Sequence, residues 1–135
     1  MKVLKFGGKS LANGKGLETV LSIITEKVAQ GQEIAVVVSA RDKATDQLES
    51  MLERAARGED ISADFQAFKQ YQIAGEEIDL SAEFSILQRI FDGVSLLGDY
   101  NDKIKDHTLA QGEVLSAKFI SYLLRKRGVK ACLLY

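Results

Sequence analysis

Three short stretches of this 135-residue chain carry residue types that could do chemistry. The first is Lys5-Phe6-Gly7-Gly8-Lys9-Ser10. Adjacent glycines let backbone N–H groups approach an anion with no Cβ atoms in the way, and two lysines and a serine add charge and a further donor. These are the parts needed to hold transferring phosphates. A plain glycine turn with surface lysines would read the same way. Gly8-Lys9-Ser10 copies the end of a P-loop, but that motif needs a glycine where Val3 stands, which excludes it.

The second stretch is Ser39-Ala40-Arg41-Asp42-Lys43-Ala44-Thr45-Asp46. Its hydroxyls suit a small polar ligand facing the N–H groups of a helix start. Helix capping by Asp42 or Thr45 is the plainer alternative. The third is Gly112-Glu113, expected to open the last helix, where a carboxylate is favourable whatever its function. His107 has no second ligand or nucleophile at useful spacing, and Glu76, Glu77 and Asp79 form no metal-ligand pattern and read as a solvated face.

The elements that must position these stretches follow from periodicity. The run Val3-Leu4-Lys5-Phe6 ends at Gly7-Gly8 and reads as a buried strand entering a tight turn. Leu17, Val20, Leu21, Ile24 and Val28 make one helical stripe, closed by Gly31. Ile34-Ala35-Val36-Val37-Val38 is apolar at every position, as in a parallel strand covered on both faces. Leu48, Met51, Leu52, Ala55 and Ala56 return to helical spacing. Strand, helix, strand, helix is an α/β pattern. From about residue 61 to 109 helices are expected, with Phe84, Leu87, Phe91 and Val94 on one stripe and breaks near Gly75 and Gly98-Asp99-Tyr100-Asn101-Asp102. A last helix is expected from about Gly112 to Arg127, with Leu115, Phe119, Ile120 and Leu123 facing the core. Its basic end Arg125-Lys126-Arg127, followed by Gly128, complements the helix carbonyls and needs no ligand. Residues 129–134 are expected to form a third strand. Three parallel strands would leave apolar edges open, so the chain reads as part of a larger domain and self-association is expected.

Composition narrows the class. With 46% hydrophobic and 27% charged residues the chain suits a folded, soluble domain with one core. A net charge of -1 gives no electrostatic case for nucleic acid or an anionic membrane surface. No apolar run approaches the roughly 20 residues of a membrane helix, and the start does not read as a signal peptide. One cysteine, Cys132, excludes an internal disulfide framework, reads as a buried thiol, and agrees with a cytoplasmic location.

Taken together, the three stretches resemble the aspartate kinases of the amino acid kinase family. That family opens with a strand followed by Lys-Phe-Gly-Gly-Thr-Ser, which Lys5 to Ser10 repeat except at Lys9. It continues with a strand ending in Val-Ser-Ala and a nearby Thr-Asn; here stand Val38-Ser39-Ala40 and Thr45-Asp46. Ser95-Leu96-Leu97-Gly98 and then Gly112-Glu113, with Ser116 beyond, follow in the family's order. The resemblance implies an incomplete parallel-sheet sandwich of the carbamate kinase-like fold, helix-rich in the middle, with residues 1–135 as the N-terminal portion of the domain. It implies transfer of the ATP γ-phosphoryl group to the side-chain carboxylate of L-aspartate, the first step towards lysine, threonine and methionine. Lys5 would be catalytic, and Lys5, Gly7, Gly8, Lys9 and Ser10 would hold phosphate. Ser39, Thr45 and Glu113 would hold aspartate. Mg2+ would arrive with ATP, with no dedicated metal site. The nucleotide-binding half and regulatory domains would lie beyond residue 135, and the fragment alone is expected to bind aspartate weakly and turn over nothing. The parent would be a homo-oligomer and could carry a homoserine dehydrogenase domain. Kinases of glutamate, acetylglutamate or nucleoside monophosphates, or a non-catalytic anion-binding or assembly module, are the alternatives.

Overall fold

The computed structural model describes residues 1–134. Strand β1 (Lys2–Phe6) leads through the glycine turn into a short 3-10 helix (Lys9–Leu11) and then α1 (Lys15–Ala29). Strand β2 (Ile34–Val38) follows, then α2 (Ala44–Ala56), α3 (Ser62–Ile73), α4 (Ser81–Leu97) and α5 (Asp102–Lys126). β1 and β2 pair in parallel, Lys2 opposite Ile34 through Phe6 opposite Val38, with α1 as the crossover.

Two apolar cores sit side by side. In the first, Leu17, Val20, Leu21 and Ile24 of α1 meet Phe119, Ile120 and Leu124 of α5 beneath one face of the sheet. In the second, Leu48, Met51, Leu52 and Ala55 of α2 pack with Phe65 and Phe68 of α3, Leu87, Phe91 and Val94 of α4, and Leu115 of α5. The ring of Phe65 meets Phe91 edge-on at 5.3 Å, a favoured aromatic geometry. Helix α5 therefore serves both cores with successive turns of one surface.

Several expectations need correction. The last helix begins at Asp102, not near Gly112, because the Asn101 side chain accepts the Ile104 N–H at 2.9 Å and caps it there. Gly112 lies inside that helix, against Ala40 and Leu48, where a Cβ would come within 3.1 and 3.2 Å of their side chains. The strand β2 is covered on one face only. The other face leaves Val37 49% and Val3 63% exposed. Residues 129–134 form no strand, since no ladder partner lies beside them. Instead the Val129 N–H returns to the Leu124 carbonyl and Arg125 Nε donates to the Ala131 carbonyl. Cys132 is exposed rather than buried, a consequence of that missing strand. Val28, at the last turn of α1, is also exposed. The basic end of α5 does more than meet carbonyls. Lys126 pairs with Glu76 at 2.6 Å and Arg127 with Glu18 at 2.5 Å, tying α5 to the α3–α4 connection and to α1.

Among the described residues no helix is long and apolar enough to cross a membrane.

Candidate functional site

Parallel pairing puts the carboxyl ends of β1 and β2 side by side, where open α/β sheets hold their ligands. From β1 emerges the turn Gly7-Gly8 and the 3-10 helix that contains Lys9 and Ser10; from β2 emerges Ser39 and the loop to α2. Backbone bonds join the two exits. The Ser39 N–H donates to the Phe6 carbonyl at 3.1 Å, and the Asp42 N–H donates to the Gly8 carbonyl at 2.7 Å. Two stretches more than thirty residues apart in sequence thus form one rim.

Gly8 explains the local sequence. Its backbone is ordinary right-handed helical, φ -58 and ψ -41, so flexibility is not what requires glycine. A Cβ there would lie 2.6 Å from the Ala40 carbonyl oxygen and 3.1 Å from that of Asp42. Close backbone approach is the requirement. Gly7 is different, since a Cβ on it would meet nothing within 4 Å.

Lys5 stands opposite Val37 in the register and shares the uncovered face with it, away from the packed Phe6. No acid pairs with it among the described residues. Lys9, Ser10, Ser39 and Thr45 are exposed around the rim. Neither Asp42 nor Thr45 caps α2; Lys43 takes the cap position and no side-chain cap forms. Glu113 is not in a first helical turn, so the helix-start rationale for it falls. It is exposed at mid-helix, one residue past the point where Gly112 meets Ala40. Its link to the rim runs through that contact.

The residue that sequence reasoning passed over is Arg41. It is fully buried directly beneath the rim. Its Nε donates to the Leu11 carbonyl at 3.0 Å, one terminal nitrogen donates to the Gln72 carbonyl at 3.1 Å, and the other donates to Asn13 Oδ1. The guanidinium carbon lies 4.0 Å from the Phe119 ring centre and 5.4 Å from that of Tyr71. Burial lowers its pKa to about 10, with Tyr71 and Asp42 acting in the opposite direction, so it is cationic at neutral pH. Its partners lie 28 to 31 residues away, a separation that no local pattern reveals.

A cleft of about 470 Å³ lies away from the rim. It lies between α1 and the end of α5, over Leu17, Leu21 and Leu123, and it meets the rim's support only at Asn13 and Phe119. The glycine turn and Ser39 are chemically better equipped, so the rim is the candidate site.

A parallel α/β pair with a glycine turn on one strand exit and hydroxyl groups on the other has the parts to hold a small anionic ligand. The chain belongs to the amino acid kinase family, whose sequence profile matches residues 1–135. It is 36% identical to aspartokinase 3 of Bacillus subtilis over 97% of its length, and 32% identical to a bifunctional aspartokinase/homoserine dehydrogenase of Buchnera aphidicola over 95%. It spans 30% and 17% of those two proteins, respectively. In fold it resembles E. coli aspartokinase III in complex with aspartate and ADP (TM-score 0.68, 20% identity, 96% of this chain and 30% of that one). It also resembles aspartate kinase of Clostridium acetobutylicum (TM-score 0.67, 21% identity, 93% of this chain and 29% of that one). The α/β fold is that of the amino acid kinase domain.

Proposed function

We propose that residues 1–135 are the N-terminal portion of an aspartate kinase catalytic domain, which transfers the ATP γ-phosphoryl group to the side-chain carboxylate of L-aspartate. The observation that carries this reading is the joined rim, in which Asp42 N–H to Gly8 carbonyl and Ser39 N–H to Phe6 carbonyl bring the glycine turn and the hydroxyl segment together. Donor and acceptor are both anionic, so the site must neutralise charge and hold an in-line geometry. The exposed, unpaired Lys5 is the catalytic cation that meets charge on the transferring group. Gly7 and Gly8 let main-chain donors approach the phosphates, with Lys9 and Ser10 beside them. Ser39 and Thr45 orient aspartate, and Glu113 pairs with its ammonium group. Mg2+ enters bound to ATP and offsets charge on its phosphates. The aspartokinase relatives and the neighbour in complex with aspartate and ADP support this choice of substrates. We place the protein in the cytoplasm, as a homo-oligomer.

The test is the full-length protein with ATP, Mg2+, L-aspartate and hydroxylamine, which traps an acyl phosphate as a hydroxamate. Aspartate-dependent hydroxamate that falls by about 100-fold or more in Lys5→Ala is the expected result, the scale set by removal of one charge-stabilising donor. Product with glutamate or another acid in place of aspartate would keep the family and change the substrate. Unchanged turnover in Lys5→Ala would remove Lys5 from the mechanism.

A further inference from the structure

We propose that Arg41 is a positioning residue for phosphoryl transfer, fixing the separation between the glycine turn and the Ser39–Thr45 segment from beneath. The inference rests on the kinase reading above.

A buried guanidinium is an expensive way to fill space, because its charge leaves water. Among the described residues no carboxylate makes an ion pair with it. Its donors instead go to Leu11, Gln72 and Asn13, and its guanidinium carbon lies over the rings of Phe119 and Tyr71. Three segments therefore converge on one side chain: the stretch that follows the glycine turn, the end of α3, and α5. The rigid planar fork suits that task, since several acceptors at fixed angles must be met at once.

The neighbouring residue shows what is being held. Asp42 has φ +52, a left-handed conformation uncommon for a residue other than glycine. Such a conformation persists only where its surroundings impose it. The Asp42 N–H is bonded to the Gly8 carbonyl, and its carboxylate accepts the Tyr71 hydroxyl at 3.2 Å. That same hydroxyl oxygen accepts the Asn13 N–H at 2.9 Å, and Asn13 also donates to the Tyr71 carbonyl at 3.2 Å. Arg41, Asn13, Tyr71 and Asp42 thus form a closed loop of contacts under the rim. The loop lies outside the groups assigned to substrate, yet it determines where they stand.

The test uses the full-length protein with Arg41→Lys, Arg41→Met and Tyr71→Phe, assayed by hydroxamate formation beside circular dichroism at the assay temperature. Arg41→Lys keeps the charge and loses the fork. Tyr71→Phe removes one hydroxyl and leaves the ring on Arg41. A misplacement on the order of 1 Å costs about 100-fold, so folded Arg41→Lys should lose about that much in kcat. Tyr71→Phe should lose about 10-fold, because it removes the two hydrogen bonds of one hydroxyl and leaves the Arg41 fork in place. KM for ATP and aspartate should change little, because no group touching either is altered. A folded Arg41→Lys or Tyr71→Phe enzyme with wild-type kcat overturns the inference. If the Arg41 variants do not fold, Tyr71→Phe decides alone. Wild-type protein that makes no hydroxamate with aspartate or any other acid overturns the kinase reading itself, and this inference with it.

Discussion

Gly8 and Ala40 approach so closely that a Cβ on Gly8 would stand 2.6 Å from the Ala40 carbonyl oxygen. The obstruction is backbone on both sides, so no side chain can rotate away. Gly8→Ala is expected to destabilise the fold by about 1–3 kcal/mol, the usual scale of overpacking, and to push the two strand exits apart. Gly7→Ala, with open space around it, should leave the urea midpoint unchanged. Loss of activity in Gly7→Ala without loss of stability would then report the approach of a ligand to that backbone.

Gly112→Ala sets two effects against each other. Alanine favours the helix by up to about 1 kcal/mol over glycine. Its methyl group would press on Ala40 at 3.1 Å and on Leu48 at 3.2 Å, both buried. Strain of about 1–3 kcal/mol exceeds the propensity gain, so a net loss in thermal stability is expected. Displacement of Ala40 carries Ser39 with it, and kcat should fall. A stabilised variant with unchanged kcat would show that α5 does not support the rim.

Glu83 and Lys118 form the most enclosed ion pair among the described residues, with side-chain exposures of 6% and 26%. The second carboxylate oxygen of Glu83 has no hydrogen-bond partner. Lys118→Met would strand a buried charge and should cost about 2 kcal/mol, below the roughly 3–5 kcal/mol of fully enclosed pairs because water reaches Lys118. Adding Glu83→Gln should recover much of that loss. A double-mutant cycle in urea measures the coupling, and additive losses would show that the pair contributes nothing.

Acid sensitivity should reside partly in two equivalent turns. Asp60 accepts the Ser62 N–H and hydroxyl, and Asp79 accepts those of Ser81. These bonds, with the serine hydroxyl first, hold both carboxyls below their usual 3.8. A depressed folded-state pKa contributes stability that is present above the unfolded value and is lost as pH falls through the folded one. Stability should therefore decline as pH drops below about 4, and Asp60→Asn with Asp79→Asn should flatten that decline. A melting temperature with the same slope in the double variant would place the acid sensitivity elsewhere.

How far the sequence could be read depended on the range of the forces involved. Periodicity placed α1, α2 and α4 because each buries one stripe, Leu17 to Ile24 being the clearest. The same logic misplaced the start of α5. Gly112 looks like a boundary until Ala40 and Leu48 are seen against it, and Asn101, the true cap, lay within a stretch read as a break. An all-apolar β2 implied cover on both faces, yet Val37 is open. Apolar character states what a strand tolerates, while cover depends on which elements reach it.

By itself the sequence determined the α/β order, the parallel pair and the two stretches that meet at the rim, because glycine turns, apolar runs and strand exits act through neighbours in the chain. Only the tertiary structure decided that Gly8 is required by Ala40, that Gly112 packs against Ala40 and Leu48, and that Arg41 is buried under the rim. Each depends on atoms about thirty or more residues apart meeting within a few ångströms. Packing specifies such meetings, and no local pattern encodes them.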